Sequence, residues 1–170
     1  INGSGSSNQP TGILATSSIG DVAGGTNGLA PTWNHLVELI SDVAVANADS
    51  AGVFVTNSAV EAKLRKTAKV SSTDSVMILD ESGRVAGREM LISNQVPSTL
   101  TKGTSSSVCS AIIYGDLRQV LLAEWGSLEI DVDQSTNFAS GTVRVRALWD
   151  IDVAVRHAEA FSAMQDALTS

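Results

Sequence analysis

The most regular pattern in the chain is an alternation of apolar and polar residues between positions 143 and 155. Apolar side chains occupy every second position, and arginines and aspartates occupy most of the positions between them. Successive side chains of a β-strand point to opposite faces, so this stretch predicts a long strand with one apolar face. The residues on that face are Val143, Val145, Ala147, Trp149, Ile151, Val153 and Val155.

A second alternating run precedes this strand and predicts a β-hairpin. Leu128, Ile130 and Val132 alternate with acidic residues, and the segment 134–141 supplies polar turn residues between the two runs. A hairpin of two strands is only marginally stable in water. We therefore expect its apolar face to be covered by another element.

Two helices are predicted in the first half of the chain. Apolar residues recur at spacings of three and four from Trp33, just after Pro31-Thr32, and this predicts an amphipathic helix that ends near Asn47. A second helix is predicted through residue 69, with Asn57 or Ser58 as its cap. Ser58 and Glu61 have the spacing of a capping box at its start.

Short apolar runs between polar turns predict the strands of a sheet. They cover residues 13–15 with residue 19, and then 52–56, 76–79, 90–93, 111–116 and 120–124. We expect the run 120–124 to continue the same sheet as the others. The pattern as a whole predicts an α+β fold, in which a mixed sheet is flanked by helices and accompanied by a long β-hairpin.

The composition and charge of the chain exclude several classes of function. The chain has 170 residues, of which 43% are hydrophobic, and this is enough for one core. Its formal net charge is -7, and its eleven lysines and arginines never cluster beyond residues 63–66, so it has no basic footprint for nucleic acid phosphates. Cys109 is the only cysteine, which rules out an internal disulfide. No apolar run is long enough to predict a membrane span.

The candidate catalytic groups have simpler structural explanations. Asp131 and Asp133 would face Asp150 and Asp152 across the hairpin if the register allowed it, and paired carboxylates could then act as acid and base in a small hydrolase. Alternation alone already explains these residues as charges on the solvent face of a strand. We interpret them in that way and keep the hydrolase as an alternative.

No other residues have the spacing of a site. The two histidines, His35 and His157, are not in a metal-binding spacing, and Cys109 has no histidine near it in sequence. The glycine pairs near the start lack the third glycine of a dinucleotide-binding loop. We therefore predict no catalytic residue, no bound cofactor and no metal.

The order of several short motifs resembles that of one protein family. They are NG-x-G-x-x-NQP-x-GIL at 2–14, MLISNQVP at 90–97, IIYGD at 112–116, Trp-Gly at 125–126 and the alternating run from Val143 that leads to Phe161. Taken together, these motifs are similar to those of the major capsid proteins of tailed bacteriophages, whose fold is named after phage Hong Kong ninety-seven. The resemblance covers essentially the whole chain and corresponds to the carboxy-terminal portion of the family's proteins.

The resemblance implies a division into two domains. Residues 13–124 and 156–170 would form an axial domain that packs around the centre of a capsomer. Residues 1–12 and 125–155 would form a connecting segment and the β-hairpin of an incomplete peripheral domain. In this family a long spine helix lies upstream in the chain, and it would cover the apolar hairpin face, namely Val143, Val145, Trp149, Ile151 and Val153.

The resemblance also implies a function. The chain would be a structural subunit of an icosahedral capsid that assembles into pentamers and hexamers and encloses DNA without binding it specifically. Its partners would be other copies of itself and, in addition, portal, scaffold or decoration proteins, and no membrane would be involved. It would reside in the virion capsid, and in the cytoplasm of the bacterial host during assembly. A bacterial nanocompartment shell of the same fold is the alternative.

Polar, glycine-rich segments are the candidates for flexible joints or contacts between subunits. We expect these roles for the segments 2–12 and 21–28 and for the turn 94–97. The specific residues predicted are Gly3, Gly5, Asn8, Pro10, Gly12, Asn94, Gln95 and Pro97.

Overall fold

The computed structural model describes residues 1–70, 72 and 76–169. The predicted axial segments also include residues 71, 73–75 and 170, which lie outside the described residues. The helices are α1 (Trp33–Val45) and α2 (Ser58–Leu64). The strands are β1 (Gly20–Asp21), β2 (Val53–Thr56), β3 (Arg84–Val85), β4 (Arg88–Ile92), β5 (Leu100–Lys102), β6 (Ser105–Gly115), β7 (Val120–Asp133), β8 (Arg144–Val155) and β9 (Phe161–Leu168).

Seven of the strands form one mixed sheet. Its strand order is β1-β9-β6-β2-β4-β3. Strand β5 also pairs with β6. Strand β6 is antiparallel to both β9 and β2, whereas β2 is parallel to β4, and β1 is parallel to β9. The two helices and this sheet confirm the predicted α+β class.

The long interior strands β6 and β9 have buried residues on both faces of the sheet. Along β6, Ile112 and Tyr114 pack with the helices, while Ala111 and Ile113 pack in a second cluster on the other side of the sheet. The helix-side cluster also contains Leu36, Leu39, Phe54, Val60, Leu64 and Met164. The opposite cluster also contains Ile13, Leu14, Val55, Val96, Phe161 and Ala163. The sheet is therefore the middle layer of the domain.

Helix α1 forms where its spacing predicted it. Thr32 caps the helix by accepting from the backbone N–H of His35, whose Nδ1 accepts in turn from the N–H of Thr32 at 3.3 Å. The apolar stripe of α1 packs against β9 and β6. His35 thus has a structural role at the start of the helix, as its sequence context suggested.

Several local predictions about the first half of the chain are wrong. Residues 13–15 form a short 3₁₀ turn and not a strand. Helix α2 ends at Leu64 and not at residue 69. Of its two predicted caps, Asn57 is the one that forms, and it accepts from two backbone N–H groups at 3.1 Å. The run 76–79 is not a strand either, because within it only Met77 makes a single bridge, to Ala68.

The predicted hairpin forms, but it is longer than expected. β7 and β8 pair with each other in a separate two-stranded sheet, and β7 begins at Val120. The run 120–124 therefore belongs to the hairpin and does not continue the main sheet. The chain returns from the hairpin into β9, a central strand that the sequence analysis did not identify.

Candidate assembly surface

The hairpin extends from the domain with little support. Only its base joins the main core, where Val120 and Val155 pack against the cluster around Phe161. At this point the backbone N–H of Arg156 donates to the carbonyl of Gln119 at 2.8 Å. The tip ends in a short 3₁₀ turn, Phe138–Ser140, and Phe138 is 86% exposed.

The register of the strands divides the hairpin into two faces. Val145 lies opposite Val132, Ala147 opposite Ile130 and Val153 opposite Leu122. Residues opposite each other on antiparallel strands share a face. Val143 precedes the first residue of β8, so it continues the same alternation just outside the strand.

The apolar hairpin face is continuous and exposed. Val145 is 66% exposed and Trp149 is 51% exposed, whereas Val153, nearer the base, is half-buried. Apart from Glu124, which lies opposite Ile151, the paired residues on this face are uncharged. No described residue outside the hairpin covers its outer part, so the covering element expected from the sequence is not among the described residues.

The opposite hairpin face is divided into two halves. Its distal half is charged and internally paired, because Arg146 donates to Asp131 in an ion pair and Asp133 accepts from Ser135 and Thr136 in the turn. These hydrogen bonds hold the pKa of Asp133 well below its usual range, with the bond from the Thr136 hydroxyl as the largest cause. Both aspartates of the distal half are thus engaged by neighbouring groups of the hairpin.

The proximal half of the opposite face is different. It contains Leu121, Ala123 and Trp125 on β7, with Asp150 and Asp152 opposite the last two on β8. Trp125 is 58% exposed, and neither aspartate forms an ion pair within the described residues. An irregularity between Trp125 and Glu129, with Gly126 at a positive φ of 74°, separates the two halves.

This second apolar patch was not predicted, although the sequence carries a signal for it. Between residues 120 and 125, apolar residues occupy the even positions 120 and 122 and also the odd positions 121, 123 and 125, whereas after Gly126 only the even positions 128, 130 and 132 are apolar. A strand that is apolar at both even and odd positions presents apolar side chains on both of its faces.

The register also decides whether the candidate carboxylates come together. Asp131 and Asp133 lie opposite Arg146 and Arg144, while Asp150 and Asp152 lie opposite Trp125 and Ala123. The facing carboxylates on which the hydrolase alternative depended are therefore not formed.

A buried carboxylate holds the base of the hairpin. Asp116, at the end of β6, is 1% exposed and accepts from Arg118 Nε at 2.9 Å and Nη2 at 2.8 Å. Ser50, in the loop after α1, donates to the same carboxylate at 3.0 Å. Hydrogen bonds from Arg118 are the main cause that keeps the pKa of Asp116 far below its usual range. The charged form therefore connects the loop, the sheet and the start of the hairpin.

A second buried group lies close by. Tyr114 donates its hydroxyl to Asp49 Oδ1 at 2.6 Å, and Arg88 forms an ion pair with the same carboxylate. Burial is the first cause of the raised pKa of Tyr114, and the bond to Asp49 adds to it. This arrangement attaches the loop after α1 to β4 and β6.

The predicted N-terminal segment folds back on itself. The N–H of Gly12 donates to the carbonyl of Gly3 at 2.9 Å, and Leu14 donates to Ile1 at 3.2 Å. The loop between these two hydrogen-bonded segments is exposed, and Gly5 and Asn8 in it have positive φ. Pro10 is half-buried beside Gly3. The segment therefore brings Gly3, Gly5, Asn8, Pro10 and Gly12 together in one loop.

The predicted turn 94–97 follows β4, next to the carboxyl ends of the parallel strands β2 and β4. Asn94 Oδ1 accepts from the N–H and the hydroxyl of Ser58, at the start of α2. Gln95 is exposed, and the carbonyl of Pro97 accepts from Ala111 at 3.0 Å. Hydrogen bonds therefore hold both ends of the turn to the domain, and Gln95 between them is exposed to solvent.

The remaining candidate features in the described part of the chain concern metal ligands, the single cysteine, the second histidine and membrane-spanning helices. Within residues 1–70, 72 and 76–169, no three His, Cys, Asp or Glu residues are placed to hold a metal ion. Cys109 is buried in β6, and His157 is exposed. None of the helices in these ranges has both the length and the hydropathy needed to cross a bilayer.

A family model described as "Phage capsid family" matches residues 1–166. The chain belongs to this family. The chain is also 30% identical over 161 residues to the "Major capsid protein" of Halomonas phage phiHAP-1, in a match that covers 94% of this chain and 24% of that protein. The motif resemblance stated from the sequence is thereby confirmed.

Solved structures place this phage capsid family member in the same fold. The "Capsid of empty GTA particle computed with C5 symmetry" aligns with a TM-score of 0.69 at 23% identity, over 95% of this chain and 56% of that one. The holo encapsulin complex from Synechococcus elongatus aligns with a TM-score of 0.57 at 18% identity, over 94% and 57%. The chain thus spans a quarter of the Halomonas phage protein and just over half of these shell chains.

Proposed function

We propose that this chain is part of the structural subunit of an icosahedral phage or prophage capsid. Membership of the phage capsid family supports this function. The observation that carries it is the hairpin, whose apolar face stays exposed along most of its length. An apolar surface of this kind is typical of a subunit that becomes buried in an assembly. The subunit acts by burying complementary surfaces and needs no catalytic step.

The apolar hairpin face is covered, in this proposal, by a helix of the same polypeptide outside residues 1–170. Strand β8 has 12 residues, which at the usual rise corresponds to a face about 40 Å long. A helix needs about 26 residues to span that length. The related shell chains extend well beyond the aligned part, so a full-length subunit has room for such a helix.

The domain division follows the same reasoning. The axial domain consists of the predicted segments 13–124 and 156–170, with the boundary at residue 124 moved to residue 119 because β7 begins at Val120, and the rest of the chain belongs to the peripheral domain. The two polar loops, with Gly3, Gly5, Asn8, Pro10 and Gly12 in one and Asn94, Gln95 and Pro97 in the other, make contacts between subunits. Their exposed tips support this role.

The assembled shell consists of pentamers and hexamers of this subunit and encloses DNA without specific contacts. The net charge of -7 agrees with a container that does not hold its DNA electrostatically. Portal, scaffold and decoration proteins are its further partners. The shell forms in the cytoplasm of the bacterial host and remains as the capsid of the virion.

Electron microscopy of the purified full-length protein tests this function. We expect closed shells of uniform size at micromolar concentrations of protein. A full-length chain that folds but stays monomeric at such concentrations would contradict the proposal.

A nanocompartment shell is the second candidate, and the likeness to an encapsulin complex favours it as the alternative. The contents of shells purified from the native host distinguish the two. Nuclease-protected DNA of uniform length supports the phage capsid, whereas a single enriched cargo enzyme without DNA supports the nanocompartment.

A further inference from the structure

The hairpin joins the rest of the protein through two short connections. The first is the 3₁₀ turn Leu117–Gln119 after β6, and the second is the 3₁₀ turn Ala158–Ala160 before β9. Val120 and Val155 pack against the core at the base, and beyond them the two strands pack mainly on each other. An element that is long and supported only at its base changes its angle by rotation at such connections.

A cavity of about 360 Å³ lies between the base of the hairpin and the end of α1. Asn47 lines it on the side of the helix, and Gln119, His157 and Glu159 line it on the side of the hairpin. Asn47, His157 and Glu159 are exposed, so the cavity opens to solvent. It therefore provides room for the base of the hairpin to approach α1.

Two polar groups on opposite walls of this cavity lack partners and complement each other. Gln119 Oε1 is buried and accepts no hydrogen bond from any described residue. The side-chain amide of Asn47 likewise has no hydrogen-bond partner among the described residues. A buried carbonyl oxygen without a donor is destabilising, and the N–H of an amide is a suitable donor for it. The two side chains would therefore gain from contact with each other.

A network of hydrogen bonds holds these two walls apart. The carboxylate of Asp116 accepts from Arg118 and from Ser50, and the Ser50 hydroxyl accepts in turn from Arg118 Nη2 at 2.9 Å. Arg118 directly precedes Gln119, and Ser50 lies in the same loop as Asn47. The network thus fixes the first connection of the hairpin at one position relative to the loop after α1.

We propose that the hairpin has a second orientation, in which its base moves toward α1, the cavity closes and Gln119 Oε1 accepts from the side-chain amide of Asn47. The buried acceptor then gains the donor that it lacks, while Ser50 loses its bonds to Asp116 and Arg118. Because one set of hydrogen bonds replaces another, the two orientations are discrete states. This inference concerns the folded chain itself and does not depend on the proposed function.

The length of the hairpin turns a small rotation at its base into a large movement of its tip. Strand β8 has 12 residues, which corresponds to about 40 Å. A rotation of about 10° at the base therefore moves the tip by about 7 Å over that length. The tip, at Phe138–Ser140, thus reports which orientation the hairpin has adopted.

Distance measurement by pulsed electron spin resonance on the 170-residue chain tests this proposal. Spin labels are attached to cysteines introduced by Ser41→Cys in α1 and Ala139→Cys at the tip, both at exposed positions, whereas the native Cys109 is buried. We expect two distance components, of which the shorter one belongs to the closed orientation.

Three variants identify the groups that set the two populations. Ser50→Ala removes a bond of the network, so we expect the shorter component to increase by about threefold. Gln119→Leu removes the acceptor and Asn47→Asp removes the donor, so we expect each to reduce the shorter component by about threefold or more. Asn34→Asp makes the same exchange at an exposed position near the start of α1 and should leave both components unchanged.

Two results would overturn the proposal. One is a single distance component that none of the variants alters. The other is a shorter component that persists unchanged in both Gln119→Leu and Asn47→Asp, since the closed orientation would then not depend on this hydrogen bond. Circular dichroism checks that each variant is folded. If Gln119→Leu does not fold, Asn47→Asp decides the question, because the side chain of Asn47 is exposed.

Discussion

At the scale of single residues, a few buried polar groups decide how the loops are attached. Asp116 is the clearest case, because its carboxylate is buried and accepts from both Arg118 and Ser50. The sequence shows only a Gly-Asp pair at the end of an apolar run, which is typical of a turn. The partner at Ser50 comes from a distant part of the chain, and no local pattern could have indicated it.

Replacing Asp116 by Asn tests this attachment. The amide keeps the shape but loses the charge-assisted bonds from Arg118, so we expect the free energy of unfolding at pH 7 to fall by about 1–3 kcal/mol. Urea denaturation of the 170-residue chain measures this. The exposed Glu81→Gln is the matched control and should change stability little.

The effect of Asp116 depends on pH with a definite sign. Its pKa is lower in the folded chain than in the unfolded one, so its stabilisation is complete above the unfolded pKa of about 3.9. It is lost as the pH falls through the folded pKa. The difference between the unmodified chain and Asp116→Asn should therefore shrink below about pH 4. A difference that grows in acid would contradict the assignment.

Gly3 and Gly12 are required by a close approach of two segments. A Cβ on Gly3 would lie 2.0 Å from the carbonyl oxygen of Pro10, and one on Gly12 would lie 2.3 Å from that of Ile1. We expect Gly3→Ala to separate these segments and to remove the protection of the Gly12 and Leu14 amides. Hydrogen exchange measures this, with the exposed Ser17→Ala as control. Unchanged protection in Gly3→Ala would show that the loop does not need the glycine.

At the scale of elements, a sequence pattern predicts a helix or strand correctly where one face of that element is exposed to solvent. Helix α1 and the hairpin both have a clear period, and both were located from the sequence. Strand β9 was missed because six of its eight residues are buried, all except Gln165 and Leu168, so no exposed positions set a period. A strand that is buried on both faces lacks the alternation by which strands are recognised.

The distinction between the sheet and the hairpin depends on pairing at a distance. Residues 120–124 are apolar and look like a strand, but only their pairing with β8 shows which sheet they join. The two apolar surfaces of the hairpin also differed in how far the sequence predicted them. The apolar hairpin face was predictable from alternation, whereas in the patch around Trp125 the apolar residues at 121, 123 and 125 interrupt that alternation.

The core strand and the hairpin should respond differently to truncation of a large side chain. Met164 in β9 is fully buried, and we expect Met164→Ala to lower the free energy of unfolding by about 2–5 kcal/mol. Trp149 is half exposed on the hairpin, and Trp149→Ala in the 170-residue chain should cost no more than about 1 kcal/mol. Chemical denaturation measures both. Equal losses would mean that Trp149 is packed in the core.

At the scale of the whole molecule, a seven-stranded sheet with its own core is joined to a hairpin that exposes much of its apolar surface. The seven-stranded sheet has a buried cluster on each face and covers its own apolar surface. The hairpin exposes apolar residues on both of its faces. Burial of these apolar residues against neighbouring subunits would stabilise the protein, and this is the physical basis of the proposed shell.

The most direct test is a cryo-electron microscopy structure of the particle formed by the full-length protein. We expect closed shells in which a helix from the same subunit lies across Val145, Trp149 and Ile151. Particles in which these three side chains remain open to solvent, or a full-length protein that forms no particles, would contradict this account.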